Sequence, residues 1–383
     1  MRKEKRMDQR FFTELEKEVL QAKKLDGVLV TSPANMRKCS GFRGEGLVYV
    51  SRDLKLVLTD SRYTVAAREE CPLFEVVLYK HNLYESWISL LVERLGIEQV
   101  SRLSIGFEDE FMTVQTERTI EALFQKYELS GLAWLPLHKR LDRLRWIKSA
   151  QEIREIEQAE HIGDLAFAKI VQKLEDIYGS GQTMTEKQIA AWIEFYMKEQ
   201  GAEATSFDTI AASGIHSSMP HAIPTDRAPE DGDFLTMDFG CKVNGYCSDM
   251  TRTVVIGHAS VEQKNIYDIV LRAQEAALAA IRPGIMGCEV DEAARKVISA
   301  AGYGHCFGHG LGHSVGLMIH EMPCFSPKDE TVLEPGMVIT VEPGIYIEGA
   351  YGVRIEDLVV VTEDGCRNLT HAPKAWKEIG NIV

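Results

Sequence analysis

The chain has 383 residues, a length more typical of two domains than of one. Its 43 lysines and arginines are outnumbered by 57 aspartates and glutamates, and the resulting net charge of −14 argues against a surface that binds nucleic acid. Hydrophobic residues make up 45% of the chain and charged residues 26%, which excludes a predominantly disordered protein.

The N-terminal residues do not resemble a targeting segment. The charged run MRKEKR leads into the amphipathic stretch FFTELEK at residues 11–17, and not into the apolar core of a signal peptide. No apolar run in the chain reaches the roughly 18–20 residues that span a bilayer. We therefore expect a cytoplasmic protein that does not associate with membranes.

Residues 27 to about 135 alternate between short apolar runs and helical patterns. Strands are predicted at 27–30, 47–50, 54–59, 74–79 and 103–107, and helices around 61–70, 83–95 and 112–127. This alternation indicates an α/β domain with a largely buried sheet. A basic connector at residues 139–145 follows Pro136, so we place the domain boundary between residues 1–140 and residues 141–383.

The second domain has longer helical patterns and a different arrangement of strands. Helices are predicted at 149–178, 185–199, 261–281 and 289–301, and strands within 207–211, 233–256 and 337–361. Helices packed on a mostly antiparallel sheet are typical of the α+β class. The predicted architecture is thus an α/β N-terminal domain plus an α+β second domain.

Two aspartates flank a predicted β-hairpin in the second domain. Asn244-Gly245 is a strong signal for a two-residue turn, which places Asp238 opposite Thr251. Asp249 then lies diagonal to Asp238 on the same face, where Cβ atoms are roughly 7–8 Å apart or less, so the two carboxylates can share an ion. Two surface aspartates are the alternative, but Asp238 lies in the apolar context LTMDF, and an unpaired buried carboxylate is costly.

Three histidines lie within residues 309–320, among five glycines at residues 304–316. The histidines are His309, His313 and His320, and the surrounding glycines leave bare backbone that a ligand can approach closely. One such histidine alone would most simply be a buried core residue. Three of them within so short a segment indicate a functional site.

Two glutamates occur in strand-like segments near the C-terminus. Glu342 ends the β-branched run VITV, and Glu356 follows Arg354 by two residues in a second apolar segment. Because glutamate is disfavoured in strands and rarely buried alone, both side chains need a positive partner. A buried ion pair with Arg354 is one interpretation for Glu356, and a metal ion is the other.

Together these segments supply four carboxylates and one imidazole as candidate metal ligands. The residues are Asp238, Asp249, His313, Glu342 and Glu356. This set carries too many anions for one divalent ion and is reasonable for two. Oxygen-rich ligation with a single nitrogen favours Mn(II), while Co(II), Fe(II) and Zn(II) are also tolerated. Two ions roughly 3.5–4 Å apart can share a hydroxide, which is a nucleophile at neutral pH.

The motifs around these residues resemble those of the pita-bread metallopeptidases, in the branch of aminopeptidase P and prolidase. LKLVLT at residues 54–59, followed by DSRY, resembles the non-catalytic α/β domain of that branch. The segments MPH, MDFG, VEPG and GVRIED resemble its catalytic motifs and occur in the family order. The resemblance implies a pita-bread catalytic domain in which the five candidate ligands hold two metal ions. Metal-free relatives such as creatinase lack this ligand set.

The resemblance also implies roles for residues outside the ligand set. His221 and His320 act at the substrate as catalytic residues, His309 and Arg354 bind or orient substrate and ligands, and Glu342 transfers a proton. The implied reaction is hydrolysis of the Xaa-Pro bond at the N-terminus of proline-containing peptides by a metal-bridged hydroxide. Peptidases that grip the N–H of the scissile bond fail here, since proline has none. The implied assembly is a homodimer or a higher homo-oligomer.

One departure from the prolidase pattern concerns substrate length. In prolidases, the third histidine begins a motif of the form His-Glu-x-Pro-Arg, whose arginine holds the carboxylate of a dipeptide. This chain has Cys324 at the position of that arginine. We therefore expect aminopeptidase P-like activity on tripeptides and longer peptides, with an Xaa-Pro dipeptidase as the alternative. A pita-bread protein that binds peptides without cleaving them is a further interpretation, but such relatives are expected to have lost ligands.

Overall fold

The computed structural model describes residues 9–380, which divide into two compact units. The first unit ends at Arg145 and the second begins at Trp146. The boundary predicted after residue 140 falls within a short helix of the first unit, Arg140–Arg143. Within residues 9–380, no helix is both long and apolar enough to cross a membrane.

A six-stranded mixed sheet forms the centre of the first unit. Its strands are β1 (Gly27–Val30), β2 (Gly46–Ser51), β3 (Lys55–Thr59), β4 (Glu75–Leu78), β5 (Ser104–Phe107) and β6 (Ala133–Pro136). They lie in the order β4-β3-β2-β1-β5-β6, with β1 antiparallel to β2 and parallel to β5. Alternate residues of β1 enter two separate cores, Val28 and Val30 on one face and Leu29 on the other. Both faces of the sheet are therefore buried, which explains the apolar runs in the sequence.

Within residues 9–145, seven α-helices accompany this sheet. They are α1 (Gln9–Glu14), α2 (Pro33–Ser40), α3 (Thr64–Glu70), α4 (Leu83–Leu95), α5 (Ile97–Val100), α6 (Val114–Lys126) and α7 (Arg140–Arg143), and α1 continues as a π-helix over Leu15–Gln21. The α/β class predicted for the N-terminal domain is confirmed.

Four long helices of the second unit begin close to their predicted positions. They are α8 (Ala150–Gly179), α9 (Glu186–Glu199), α10 (Val261–Ala280) and α11 (Gly287–Ala300). Ser149, Thr185 and Ser260 precede the first three, and each forms a capping box in which its side chain accepts a hydrogen bond from the third helical residue. These caps satisfy backbone donors that would otherwise lack partners, so they define where the helices start.

The strands of the second unit form two larger sheets and two small ones. They are β7 (Ala204–Thr205), β8 (Ile210–Ser213), β9 (Phe234–Phe239), β10 (Cys241–Val243), β11 (Tyr246–Cys247), β12 (Met250–Ile256), β13 (Gly312–Ser314), β14 (Glu321–Phe325), β15 (Val338–Val341), β16 (Gly344–Ile347), β17 (Tyr351–Arg354), β18 (Asp357–Val361), β19 (Cys366–Asn368) and β20 (Glu378–Ile379). The first larger sheet has the order β20-β12-β9-β8, and the second has the order β14-β13-β15-β18-β19. Pairing is antiparallel except between β12 and β20, so the α+β class is confirmed.

Each larger sheet packs one face against a pair of helices. Leu235, Met237 and Phe239 of β9 share a core with α8 and α9, whereas α10 and α11 pack against the second sheet. Because strand residues alternate between faces, Asp238 points away from α8 and α9. The predicted ligand is thus directed to the other face of its sheet by the hydrophobic pattern of its neighbours.

The predicted hairpin is present with its predicted register. Asn244 and Gly245 have φ values of 45° and 69°, the positive values that a type I′ turn requires at both central residues. Asp238 pairs with Thr251, as the turn predicts. The short strands β13 and β14 were not predicted, since GHS and EMPCF have little intrinsic strand preference and depend on pairing with each other and with β15.

Candidate metal centre and active site

All of the predicted site residues line one cavity of about 680 Å³ in the second unit. They are His221, Asp238, Asp249, His309, His313, His320, Glu342, Arg354 and Glu356. Asp238, His313 and Arg354 lie in β9, β13 and β17, and the other six residues lie in the segments that connect regular elements. The fold therefore brings together segments that are more than a hundred residues apart in the chain.

Three carboxylates form the tightest cluster in this cavity. One oxygen from each of Asp238, Asp249 and Glu356 lies within 4.8 Å of the others. Among the described residues, Asp238 Oδ1 and Glu356 Oε1 are buried without a hydrogen-bond partner. A buried carboxylate oxygen without a donor is costly, and a divalent cation supplies the missing partner. The donor set therefore fits a metal site.

Thr251 joins the two larger sheets at this cluster. Its carbonyl accepts a hydrogen bond from the Glu356 N–H at 3.1 Å, and its hydroxyl donates to Glu356 Oε2 at 2.6 Å. Because Thr251 pairs with Asp238 across the hairpin, one residue relates the positions of two predicted ligands. The sequence analysis did not identify Thr251 as a site residue, although its place opposite Asp238 was a usable signal.

His313 and Glu342 lie beside the carboxylate cluster. His313 Nε2 is 3.4 Å from Asp249 Oδ2 and 3.6 Å from Glu342 Oε1. His313 Nδ1 is 3.2 Å from the Ser314 carbonyl and so carries the proton, which leaves Nε2 as the free lone pair. The Thr340 hydroxyl donates to Glu342 Oε1 at 3.2 Å. This arrangement presents an imidazole lone pair to the same space as the carboxylates.

Burial and mutual repulsion dominate the electrostatics of the cluster. Burial raises the pKa of Asp249 and Glu356 well above the ordinary range, and neighbouring carboxylates raise it further. Burial also raises the pKa of Glu342, to about 7. The pKa of His313 falls to about 4 because of burial and the nearby His320. Without a cation, burial therefore favours the protonated form of these carboxylates and the neutral form of the His313 imidazole.

Arg354 contacts a different carboxylate from the one that the sequence suggested. Its Nη2 donates to Asp238 Oδ2 at 2.6 Å, whereas an ion pair with Glu356 was the alternative considered above. Arg354 reaches Glu356 only through Thr251, whose hydroxyl accepts from Nε at 3.0 Å. Arg354 and Glu356 are two positions apart in the sequence, which suggested a direct ion pair. The partner of Arg354 depends instead on the packing of β9 against β17, which the sequence around Arg354 does not encode.

His309 forms its hydrogen bonds with Gly310 and Tyr346 and not with the carboxylate cluster. Its Nδ1 lies 2.7 Å from the Gly310 carbonyl and must donate, so Nε2 accepts from the Tyr346 hydroxyl at 3.0 Å. Tyr346 in turn accepts from Arg354 Nη1 at 3.0 Å. Burial lowers the pKa of His309 to about 4, which keeps it neutral. Tyr346, which the sequence analysis missed, thus links His309 to Arg354.

The other two histidines are exposed at the cavity. His221 lies on the wall formed by the segment before β9, and the ring of His320 is 4.5 Å from that of His313 between centroids. Both rings are therefore placed to reach a molecule that enters the cavity.

Metal binding to this cluster is expected to release protons. At pH 6.5, Glu342 is largely protonated in the metal-free protein because its pKa is about 7, and a metal ion must displace that proton. We therefore expect the affinity for Mn(II) to weaken as the pH falls from 7.5 to 5.5. A weakly buffered titration with a pH indicator measures the release, with an Asp249→Ala variant as the control. An affinity that is independent of pH would contradict this assignment.

Comparisons with known proteins agree with the arrangement. Residues 15–147 match the Creatinase/Prolidase N-terminal domain, and residues 154–363 match Metallopeptidase family M24. An Xaa-Pro dipeptidase of Pyrococcus furiosus is 39% identical over 349 residues, which cover 90% of this chain and 93% of that protein. An uncharacterized peptidase of Bacillus subtilis, YqhT, is 42% identical over 351 residues, or 91% of this chain and 95% of that protein.

Solved structures show the same relationship. An Xaa-Pro dipeptidase from Bacillus anthracis has a TM-score of 0.88 at 35% identity and covers 97% of this chain and 99% of its own. An X-Pro aminopeptidase from Thermotoga maritima has a TM-score of 0.83 at 37% identity and covers 93% of this chain and 98% of its own. The predicted family resemblance and pita-bread architecture are confirmed, and these names favour the dipeptidase alternative over the aminopeptidase P-like prediction. The chain belongs to metallopeptidase family M24, with a creatinase/prolidase-type N-terminal domain followed by the catalytic domain.

Proposed function

We propose that this protein is an Xaa-Pro dipeptidase that hydrolyses the bond before proline. The observation that carries a peptidase function is the convergence of four carboxylates and His313 in one cavity. Xaa-Pro dipeptidases among the similar proteins, at 39% and 35% identity, support the dipeptide as substrate.

We propose that two divalent metal ions, most suitably Mn(II), occupy the site. Asp238, Asp249, His313, Glu342 and Glu356 would hold them. A ligand set of carboxylates with one imidazole matches the preference of Mn(II) for oxygen donors. When bound, such ions supply Lewis acidity and a water molecule that ionises near neutral pH.

The side chains around the ligands would perform the remaining tasks. Glu342 would accept a proton and deliver it to the departing proline nitrogen, a role suited to a carboxyl whose pKa is raised to about 7. His221 and His320, which are exposed at the cavity, would hold the peptide, and His320 would also stabilise the developing oxyanion. Arg354 would orient Asp238 through their 2.6 Å ion pair.

Cys324 favours a second candidate function, the aminopeptidase P-like cleavage of longer peptides. The residue lines the cavity, at the position where the family resemblance implies an arginine for the substrate carboxylate in prolidases. Among the described residues that line the cavity, Arg354 is the only arginine or lysine, and its guanidinium is engaged by Asp238 and Tyr346. A dipeptide carboxylate would therefore depend on the imidazole N–H groups of His221 and His320.

Hydrolysis of Ala-Pro and Ala-Pro-Ala distinguishes the two functions. We expect Ala-Pro to have the higher kcat/KM with Mn(II) present. A Cys324→Arg variant should raise kcat/KM for Ala-Pro by about ten- to a hundredfold through one charge-assisted hydrogen bond, of roughly 1.5–3 kcal/mol. Cys324→Ser, which stays neutral, is the matched control. A wild-type preference for Ala-Pro-Ala would establish the aminopeptidase P-like function instead.

A further inference from the structure

One wall of the cavity belongs to a segment with little regular structure. Residues 213–225 begin at the end of β8, pass through a 3-10 helix over Gly214–Ser218 and continue without a strand or helix. Five consecutive residues of this segment line the cavity: Pro220, His221, Ala222, Ile223 and Pro224. Since no sheet or long helix contains them, their position depends on side-chain contacts.

A single buried carboxylate holds both ends of the 213–225 segment. Glu186, the first residue of α9, has a side chain that is 0% exposed. Its Oε1 accepts hydrogen bonds from the Ser213 N–H at 2.8 Å and hydroxyl at 2.7 Å. Its Oε2 accepts from the Thr225 N–H at 2.9 Å and hydroxyl at 2.7 Å. His216 Nδ1, in the middle of the segment, lies 3.0 Å from both oxygens.

The chemistry of these contacts requires a carboxylate. Each oxygen of Glu186 accepts from a backbone N–H, a group that can only donate. Although burial opposes ionisation, the hydrogen bonds from Thr225 and Ser213 lower the pKa of Glu186 below its usual value. Glutamine offers a single acceptor oxygen, so its NH₂ group would face the N–H of either Ser213 or Thr225 without a bond.

The backbone at the start of α9 adds to this attachment. The Lys187 N–H donates to the Thr225 carbonyl at 3.1 Å, and the Glu186 N–H donates to the Arg227 carbonyl at 2.9 Å. These groups are among the first N–H groups of the helix, which have no partner within it. The start of α9 and the end of the 213–225 segment are therefore joined by backbone as well as side-chain bonds.

The middle of the segment is attached to the strand that precedes Glu356. The Ser217 hydroxyl accepts from the Gly352 N–H at 2.9 Å, and the Pro220 carbonyl accepts from Arg354 Nη1 at 3.3 Å. His221 thus directly follows Pro220, which contacts Arg354, while Glu186 anchors the two ends of the segment at Ser213 and Thr225. Within residues 9–380, none of the hydrogen bonds of Glu186 involves a candidate metal ligand.

We propose that Glu186 is a positioning residue for substrate binding, which holds the 213–225 segment so that His221 and its neighbours face the peptide. The substrate part of this proposal rests on the proposed function. The attachment of the segment to α9 is independent of it. Glu186 is therefore expected to affect substrate binding without affecting metal binding.

The test compares Glu186→Gln with Glu194→Gln, a control on the same helix that has no part in these contacts or in the cavity. For Glu186→Gln we expect KM for Ala-Pro to rise at least tenfold while kcat changes less than threefold. The number of bound Mn(II) ions and their affinity should equal the wild-type values. In a His221→Ala background, Glu186→Gln should cost less than a further twofold in kcat/KM, because both changes act on one contact. Independent multiplication of the two losses would overturn the proposal.

Hydrogen exchange provides a readout that does not require activity. Peptides covering residues 213–225 should exchange faster in Glu186→Gln than in the wild type, while peptides from β9 and β12 stay unchanged. Unchanged exchange in the 213–225 segment would refute the attachment. If the wild type cleaves no Xaa-Pro peptide, the proposed function fails, while the exchange result still decides the attachment.

A conservative variant covers the case in which Glu186→Gln does not fold. Glu186→Asp keeps two acceptor oxygens on a shorter side chain, so exchange in the 213–225 segment and KM should lie between those of the wild type and those expected for Glu186→Gln. Wild-type exchange in Glu186→Asp together with wild-type KM would show that the reach of the side chain is immaterial, and would refute the proposal.

Discussion

The Asp249→Ala and Glu356→Ala variants are expected to lose at least one of two bound Mn(II) ions and to retain less than about a thousandth of the wild-type activity. One carboxylate oxygen of Asp249 and one of Glu356 lie within 4.8 Å of each other and of one oxygen of Asp238, so both side chains are central to the cluster. Asp249 also lies 3.4 Å from His313 Nε2, which makes it the link between the carboxylates and the imidazole. Calorimetric titration of metal-free protein with Mn(II) measures the stoichiometry.

A pair of histidine variants provides the control for this prediction. His313→Ala should lose metal, because its Nε2 faces Asp249 and Glu342. His309→Ala should bind metal almost normally, because both of its ring nitrogens are already bonded to the protein. Full occupancy of both ions in Asp249→Ala or Glu356→Ala would contradict the two-ion assignment. Equal losses in the two histidine variants would contradict the separate roles of the histidines.

The Glu342→Gln variant is expected to lose about 10²- to 10⁴-fold in kcat while it folds normally. The amide has nearly the same shape and can still accept the hydrogen bond from the Thr340 hydroxyl, which now reaches Glu342 Oε1 at 3.2 Å. It cannot accept and release a proton, which is the task proposed for a carboxyl whose pKa is raised to about 7. Removing one negative charge also weakens the hold on metal, so kcat must be measured at saturating Mn(II).

Two further measurements make the Glu342 prediction specific. Thermal unfolding of the metal-free variant should occur at or above the wild-type temperature near pH 7.5, since a neutral amide replaces a buried group that resists ionisation. Glu363→Gln, a change in the exposed turn after β18, is the matched control with wild-type kcat. A Glu342→Gln enzyme with more than a tenth of the wild-type kcat at saturating Mn(II) would rule out the proton-transfer role.

Local sequence determined the hairpin that carries the two aspartates. Asn244 and Gly245 adopt the positive φ values that their turn requires, and the pairing of Asp238 with Thr251 follows from the length of that turn. The starts of α8, α9 and α10 likewise follow from serine and threonine caps next to apolar periodic segments. Such features depend on residues within a few positions of each other, so a single sequence is enough to predict them.

The identity of the candidate ligands also came from the sequence, because carboxylates in apolar strands conflict with their surroundings unless a cation is present. Glu342 and Glu356 stood out by this conflict, and the structure brings both into the cavity with His313. Asp249 immediately precedes β12, whereas His313 lies in β13 of the other larger sheet, and their 3.4 Å approach could only be inferred through the family resemblance.

Only the tertiary structure decided the partners of the buried polar groups. Arg354 bonds to Asp238 rather than directly to Glu356, and Thr251 links β12 to Glu356 across two sheets. Glu186 appeared in the sequence as an ordinary residue in the first turn of a helix, yet it accepts bonds from Ser213 and Thr225. Hydrophobic periodicity predicts which face of an element is buried, but it does not encode which elements meet there. The hydrogen-bond partners of buried side chains are set by that packing, because each donor must bond to whatever acceptor the neighbouring element brings within reach.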